Sequence, residues 1–101
     1  MKNERDVKAE VKKILNATPK CWWFMPVMSG YGQQGIPDFI VCLAGKFIAI
    51  ETKFGKNTLS EWQTTQITRI HEAEGIVWVI SEASLPTLAP LLEAVLGLEE
   101  E

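Results

Sequence analysis

The 101-residue chain is 47% hydrophobic and 23% charged, with a net charge of −3. That balance belongs to an ordinary globular domain and excludes disordered, collagen-like and low-complexity chains. No apolar run approaches the roughly 20 residues a membrane helix needs, and the charged start MKNERDVKAEVKK lacks the apolar stretch of a secretory signal.

One domain is expected, with a core thin enough to favour self-association. Cys21 and Cys42 do not make a disulfide framework, so a reducing interior is the default. The single histidine, His71, would have to serve alone in any imidazole-based hydrolase or zinc site. In the stretch RIHEAEG it reads as a half-exposed helix residue. Charge is unevenly spread. All ten Lys and Arg lie within residues 1–69 beside six acids, whereas residues 70–101 carry seven acids and no Lys or Arg. A mildly basic body trailed by an acidic end is a weak pointer toward nucleic acid.

Residues 4–16 predict a helix with Val7, Val11, Ile14 and Leu15 on one stripe, stopped by Pro19. Residues 21–28 predict a strand with Pro26 at an edge or bend. A loop over 29–37 follows, carrying Gly30, Gly32, Gly35 and Pro37. Residues 38–43 and 46–53 predict two strands, and Ala44-Gly45 between them predicts a tight hairpin. Thr58 with Glu61, or Ser60 with Gln63, forms a capping box for a helix over about 59–74 that ends at Gly75. Leu59, Trp62, Gln63, Gln66, Ile67 and Ile70 share one face of that helix. Residues 76–81 predict a fully buried strand, and Ser84 caps a last helix to about Leu96 that Pro90 kinks or splits. The order is α-β-β-β-α-β-α, a small mixed α/β sheet flanked by helices, with a strand–helix–strand crossover over 46–81.

The hairpin register concentrates chemistry. A two-residue turn pairs Leu43 with Lys46 and, at the far end, Asp38 with Glu51, with Cβ atoms about 4.5–5.5 Å apart. Like charges so placed repel, and they call for a cation between them. Lys53 shares the face of Glu51 because strand side chains repeat every two residues. Oxygen ligands of this kind suit Mg²⁺ or Mn²⁺. A Glu-x-Lys at a strand end is by itself uninformative and often solvated; Pro37-Asp38 at hairpin-matched spacing makes it more specific. Glu10 lies three residues from Val7 and four from Ile14, where it is either a third metal ligand or an edge residue reaching water. Gln63 and Gln66 either hydrogen-bond core backbone or reach the carboxylates.

Gly35-Ile36-Pro37-Asp38, Glu51-Thr52-Lys53, Leu59-Ser60-Glu61-Trp62-Gln63, and Gly75 before a valine-rich strand together resemble the VRR-NUC family of the PD-(D/E)xK nuclease superfamily. The likeness runs over roughly residues 4–81 and is to the stand-alone form found in phages and bacteria. It implies a restriction-endonuclease-like core and one nuclease domain over 1–98, with an acidic end at 99–101. It implies that Asp38, Glu51, the Thr52 carbonyl and Glu10 serve Mg²⁺ or Mn²⁺, that Lys53 orients or deprotonates the attacking water, and that Gln63, or less well Gln66, contacts lysine, water or phosphate. The expected activity is metal-dependent, structure-selective DNA endonuclease action on branched DNA such as four-way junctions. The expected state is a homodimer, in the cytoplasm of a bacterial or phage-infected cell, with no membrane partner. The alternatives are a flap or nicked-duplex nuclease, or a non-catalytic nucleic-acid-binding module on the same fold.

Gly35, Lys56, Lys46, Arg69 and Lys20 are candidate DNA-backbone contacts, and Trp22, Trp23 and Trp62 either stack on unpaired bases or pack in the core or a dimer interface. No separate DNA-binding domain is visible, so sequence-specific readout is not expected.

Overall fold

A computed structural model describes residues 1–27 and 32–99. The first helix, α1, spans Glu4–Asn16. Its start is set by Asn3, whose side chain accepts from the Asp6 amide at 3.0 Å, with Glu4 and Asp6 in the first turn and Lys13 in the last. Val7, Val11 and Leu15 are fully buried along it, as the stripe predicts.

Four strands follow that helix, β1 (Cys21–Phe24), β2 (Phe39–Leu43), β3 (Lys46–Thr52) and, after α2 (Glu61–Glu72), β4 (Ile76–Ile80). They form one sheet in the order β1-β2-β3-β4. The first three pair antiparallel and β3 pairs parallel with β4, so α2 is the crossover between them. The strand predicted over 21–28 is shorter, ending at Phe24 before Pro26, which cannot donate to a ladder. Its last residue, Met28, and Gly30 of the predicted loop lie outside the described residues. Cys21 stands opposite Leu43 and Cys42 opposite Trp22, and both thiols are free.

The Ala44-Gly45 hairpin forms in the expected register, Leu43 against Lys46 through Phe39 against Ile50. Ala44 and Gly45 have φ of 51° and 84°, the left-handed pair of a two-residue type I′ turn. Of the two possible capping boxes, Ser60 with Gln63 is the one that forms at the start of α2.

The C-terminal end differs from expectation. Ser84 turns back to accept from the Ser81 amide at 2.8 Å and caps nothing with its side chain. Pro86 sits in a 3₁₀ turn, Leu85–Thr87, and α3 runs unbroken over Leu88–Glu99. Pro90 falls in the first turn of α3, where a backbone N–H has no intrahelical partner, so nothing is lost and no kink results. Glu100 and Glu101 of the acidic end lie outside the described residues.

The core lies between one sheet face and two helices. Phe39, Val41, Leu43, Ile48, Ile50 and Ile80 meet Val7, Val11 and Leu15 of α1 and Leu88, Leu92 and Val95 of α3. Burying each large aliphatic side chain contributes roughly 1.5–3 kcal/mol. The strand β4 is not fully buried as predicted. It is an edge strand, with only Ile80 fully covered and Val79 42% exposed. On α2 the expected apolar stripe is mostly partial, with Gln66 the buried member and Trp62 60% exposed.

Ala44 bears a Cβ in a conformation that favours Gly or Asn. Ala44→Asn, which gives the turn an Asn-Gly sequence, is expected to stabilise the chain by about 0.5–1 kcal/mol. At this size each 1 kcal/mol corresponds to roughly 4–8 °C, readable in a thermal melt followed by circular dichroism.

Candidate active site

The hairpin places Asp38 one residue before β2 and Glu51 near the end of β3, continuing the register that pairs Phe39 with Ile50. The two carboxyl groups share a hydrogen bond. Glu51 is only 2% exposed, and burial, the hydrogen bond to Asp38 and the Asp38 charge push its pKa up to about 9. Lys53 opposes that rise, and Glu4 adds to it. Burial also works against ionisation of Asp38. Its hydrogen bonds with Glu51 and with the Thr52 hydroxyl and amide, together with the Lys8 charge, nevertheless hold it below the ordinary carboxylate range. The pair therefore holds a proton between them, on the Glu51 side.

Thr52, fully buried, is the clamp on this pair. Its amide donates to Asp38 Oδ2 at 2.9 Å and its hydroxyl donates to the same oxygen at 2.5 Å. The other Asp38 oxygen, Oδ1, faces Lys8 Nζ of α1 at 3.6 Å, and Lys8 also lies 4.0 Å from Glu4. Lys53 is half-buried, and its amide donates to the Ile80 carbonyl at 2.9 Å, tying the site end of β3 to β4. Beyond it, both carboxylate oxygens of Glu82 accept from the Gly55 amide at 3.0 Å, which fixes the loop that carries Lys56.

The structure brings together Asp38, Glu51, Thr52 and Lys53, but not Glu10. Glu10 pairs with Lys13 at 3.2 Å and lines a shallow depression with Met1, Lys2, Asp6 and Ala9. At 3.6 residues per turn Glu4 stands about 20° from Val11 around the helix, whereas Glu10 stands about 100° away. Glu4 is thus the acid of α1 that the helix turns toward the carboxylate pair. The signal was the seven-residue spacing from Glu4 to Val11. Lys8, the Thr52 side chain and Glu82 were also missed, because each acts through a contact made by folding.

Gln63 is engaged in helix capping. Its Oε1 accepts from the Ser60 amide at 2.9 Å while its own amide donates to Ser60 Oγ at 3.1 Å. Gln66 Nε2 donates to the Gln34 carbonyl and Gln33 Oε1, both at 3.1 Å, and Arg69 donates to the same Gln33 oxygen at 3.3 Å. These two residues hold the loop before Asp38 against α2. Gly35, at φ 78°, lies against the α2 backbone; an added Cβ would come within 2.3 Å of the Trp62 carbonyl carbon and oxygen. That side of Gly35 is closed by packing and not open to a phosphate. Lys46 lies at the opposite end of β3, roughly 17 Å of strand away from Glu51. Lys56 and His71 are exposed.

A divalent cation fits this donor set. Two hard oxygen ligands face each other and must otherwise share a proton, and Glu51 Oε2 is buried with no hydrogen-bond partner. Among the described residues no cluster of three His, Cys, Asp or Glu forms a complete preset cage. The protein contribution is thus two close carboxylates, with Glu4 held nearby by Lys8.

No family model and no curated protein matches the chain. Solved structures do. Two of them share the fold of this chain. A structure described as a VRR_NUC domain superposes with a TM-score of 0.67 at 18% identity, covering 93% of this chain and 94% of that one. Hjc of Archaeoglobus fulgidus, a Holliday junction resolvase from an archaeal hyperthermophile, superposes with a TM-score of 0.50 at 23% identity, covering 78% of this chain and 63% of that one. The expected restriction-endonuclease-like α/β architecture is thus met.

The shared proton has a stability consequence with a definite sign. Between about pH 4.5 and pH 9 the folded chain holds a proton on Glu51 that the unfolded chain has released, so stability without metal falls as pH rises through that window. Glu51→Gln can donate to Asp38 at any pH. It is expected to flatten that slope and to raise the melting temperature at pH 8 in chelator by several degrees. Urea unfolding and thermal melts at pH 5, 7 and 9 in chelator check both.

Proposed function

We propose that this chain is a metal-dependent, structure-selective endodeoxyribonuclease that hydrolyses phosphodiester bonds in branched DNA such as four-way junctions, acting as a homodimer. The observation that carries the reading is the pairing of half-buried Asp38 with buried Glu51, with Lys53 two residues on, at the end of a hairpin in a fold shared with a VRR_NUC domain. Asp38 and Glu51 would hold Mg²⁺ or Mn²⁺, with the Thr52 carbonyl and Glu4 as further oxygen donors. A cation there supplies charge neutralisation on the phosphate and a lowered pKa for water.

The chain's own groups do the rest. Thr52 fixes Asp38 in one orientation through two hydrogen bonds, so the carboxylate does not have to be ordered at the moment of reaction. Lys53, anchored by its amide to β4, places its ammonium beside Glu51, where it orients the attacking water and steadies charge on the phosphate. The Glu82 clamp on Gly55 holds Lys56 on the rim as a contact to the DNA backbone. Gln63 reaches this chemistry only by positioning α2, since its Oε1 is engaged at the helix start.

The dimer reading draws on the second face of the sheet. Trp22, Cys42 and Phe47 stand in one cross-strand row and are exposed, Trp22 by 63%. Phe24 sits beside Trp22, ring centroids 5.5 Å apart. An aromatic row of this kind belongs against a partner, and a two-fold copy would give two active centres for a junction.

Cleavage of end-labelled four-way junction, flap, duplex and single-stranded DNA with Mg²⁺, Mn²⁺ or chelator tests the reading. Paired cuts across the junction are expected, lost with chelator and in Asp38→Ala. Lys53→Ala should lose at least about 100-fold in rate with an unchanged melting temperature. No cleavage of any substrate by a folded, metal-loaded protein would favour a binding module instead. For the dimer, Trp22→Ser is expected to turn a two-fold particle into a monomer by light scattering.

A further inference from the structure

The acids of the candidate site come with a cation already in place. Lys8 Nζ lies 3.6 Å from Asp38 Oδ1 and 4.0 Å from Glu4, bridging the end of the hairpin to α1. Asp38 Oδ2 is saturated by the amide and hydroxyl of Thr52. Oδ1 takes no bond from Thr52, and it is the oxygen that Lys8 faces. A divalent ion on that oxygen would set a charge of +2 beside an ammonium, a repulsion that neither can keep. Lysine is suited to leave. Its charge is compact, its stem flexible, and its side chain is 29% exposed, so water lies within reach of the head group.

We propose that Lys8 is the resident counter-ion of the metal site. It neutralises Asp38 and tethers Glu4 when no metal is bound, and a divalent cation must displace it. The proposal rests on the metal-dependent reading above. Lys8 then sets how tightly the chain takes its metal. The intact chain holds the cation less tightly than its two carboxylates alone would allow, and the carboxylates stay compensated when the metal is absent. Lys8 is a positioning residue for the acids, distinct in role from Lys53.

The test is Mn²⁺ binding to the full chain without DNA, by isothermal titration calorimetry, for the wild type and for Lys8→Met, Lys8→Gln, Lys8→Arg and Asp38→Asn. Removing the charge in Lys8→Met and Lys8→Gln is expected to tighten Mn²⁺ binding roughly tenfold, and Lys8→Arg to return it close to wild type. The metal-free melting temperature of Lys8→Met should fall, and its rise on adding Mn²⁺ should exceed that of the wild type. Unchanged or weaker Mn²⁺ binding in both neutral variants, with binding lost in Asp38→Asn, would overturn the proposal and leave the metal reading standing. No Mn²⁺ uptake by the wild type would overturn the metal reading and this proposal with it.

Discussion

Two carboxyl groups held face to face, Glu51 buried and Asp38 half-buried, are the constraint around which this chain is arranged. Asp38 and Glu51 cannot both be ionised there without a cation, so the metal-free fold keeps a proton on Glu51 and a lysine on Asp38. Such a pair is costly in an interior built for stability alone. It persists because the backbone leaves it no alternative. The Ala44-Gly45 turn sets the register, and Phe39 and Ile50 beside the acids are fully buried, so the strands cannot slip by one residue without turning the core outward.

The surrounding elements serve that pair from three sides. Thr52 orients Asp38, and its neighbour Lys53 ties the strand end to β4. The helix α1 lays Val7, Val11 and Leu15 into the core, and by its pitch brings Glu4 and Lys8 to the site end. The helix α2 starts at the Ser60–Gln63 capping box beside Gly35, whose lack of a side chain lets the loop before Asp38 lie against the helix backbone. Gln66 and Arg69 then hold that loop through Gln33 and Gln34. The two glutamines that interrupt the apolar face of α2 are thus explained by backbone capping and loop anchoring.

The sheet also divides the molecule. One face carries the core beneath α1 and α3. On the other, the row Trp22, Cys42, Phe47 is exposed. Ala49 and Glu51 of that second face are buried, and Phe47 lies beside Ile70 and Gly75 at the end of α2, so the exposed row is confined to the hairpin end of the sheet. The DNA contacts first expected at Gly35 and Lys46 do not sit well with this division. One is closed by packing, and the other lies at the far end of β3.

Much of this was legible before folding. Helix and strand order, the capping box and the Asp38–Glu51 opposition follow from local rules, namely side-chain periods of two and 3.6, a two-residue turn, and the demand of orphan amides for a cap. Those rules act over a few residues, so the sequence alone determines them. The helical period also separates the two acids of α1, with Glu4 in line with Val11 and Glu10 about 100° away. The rest was decided by tertiary contacts between distant segments. Lys8 meets Asp38 across 30 residues, Glu82 meets Gly55 across 27, and β4 lies at an edge, leaving an apolar run half exposed. Charge and hydrogen bonding act through space, and only the packed fold brings those groups within range.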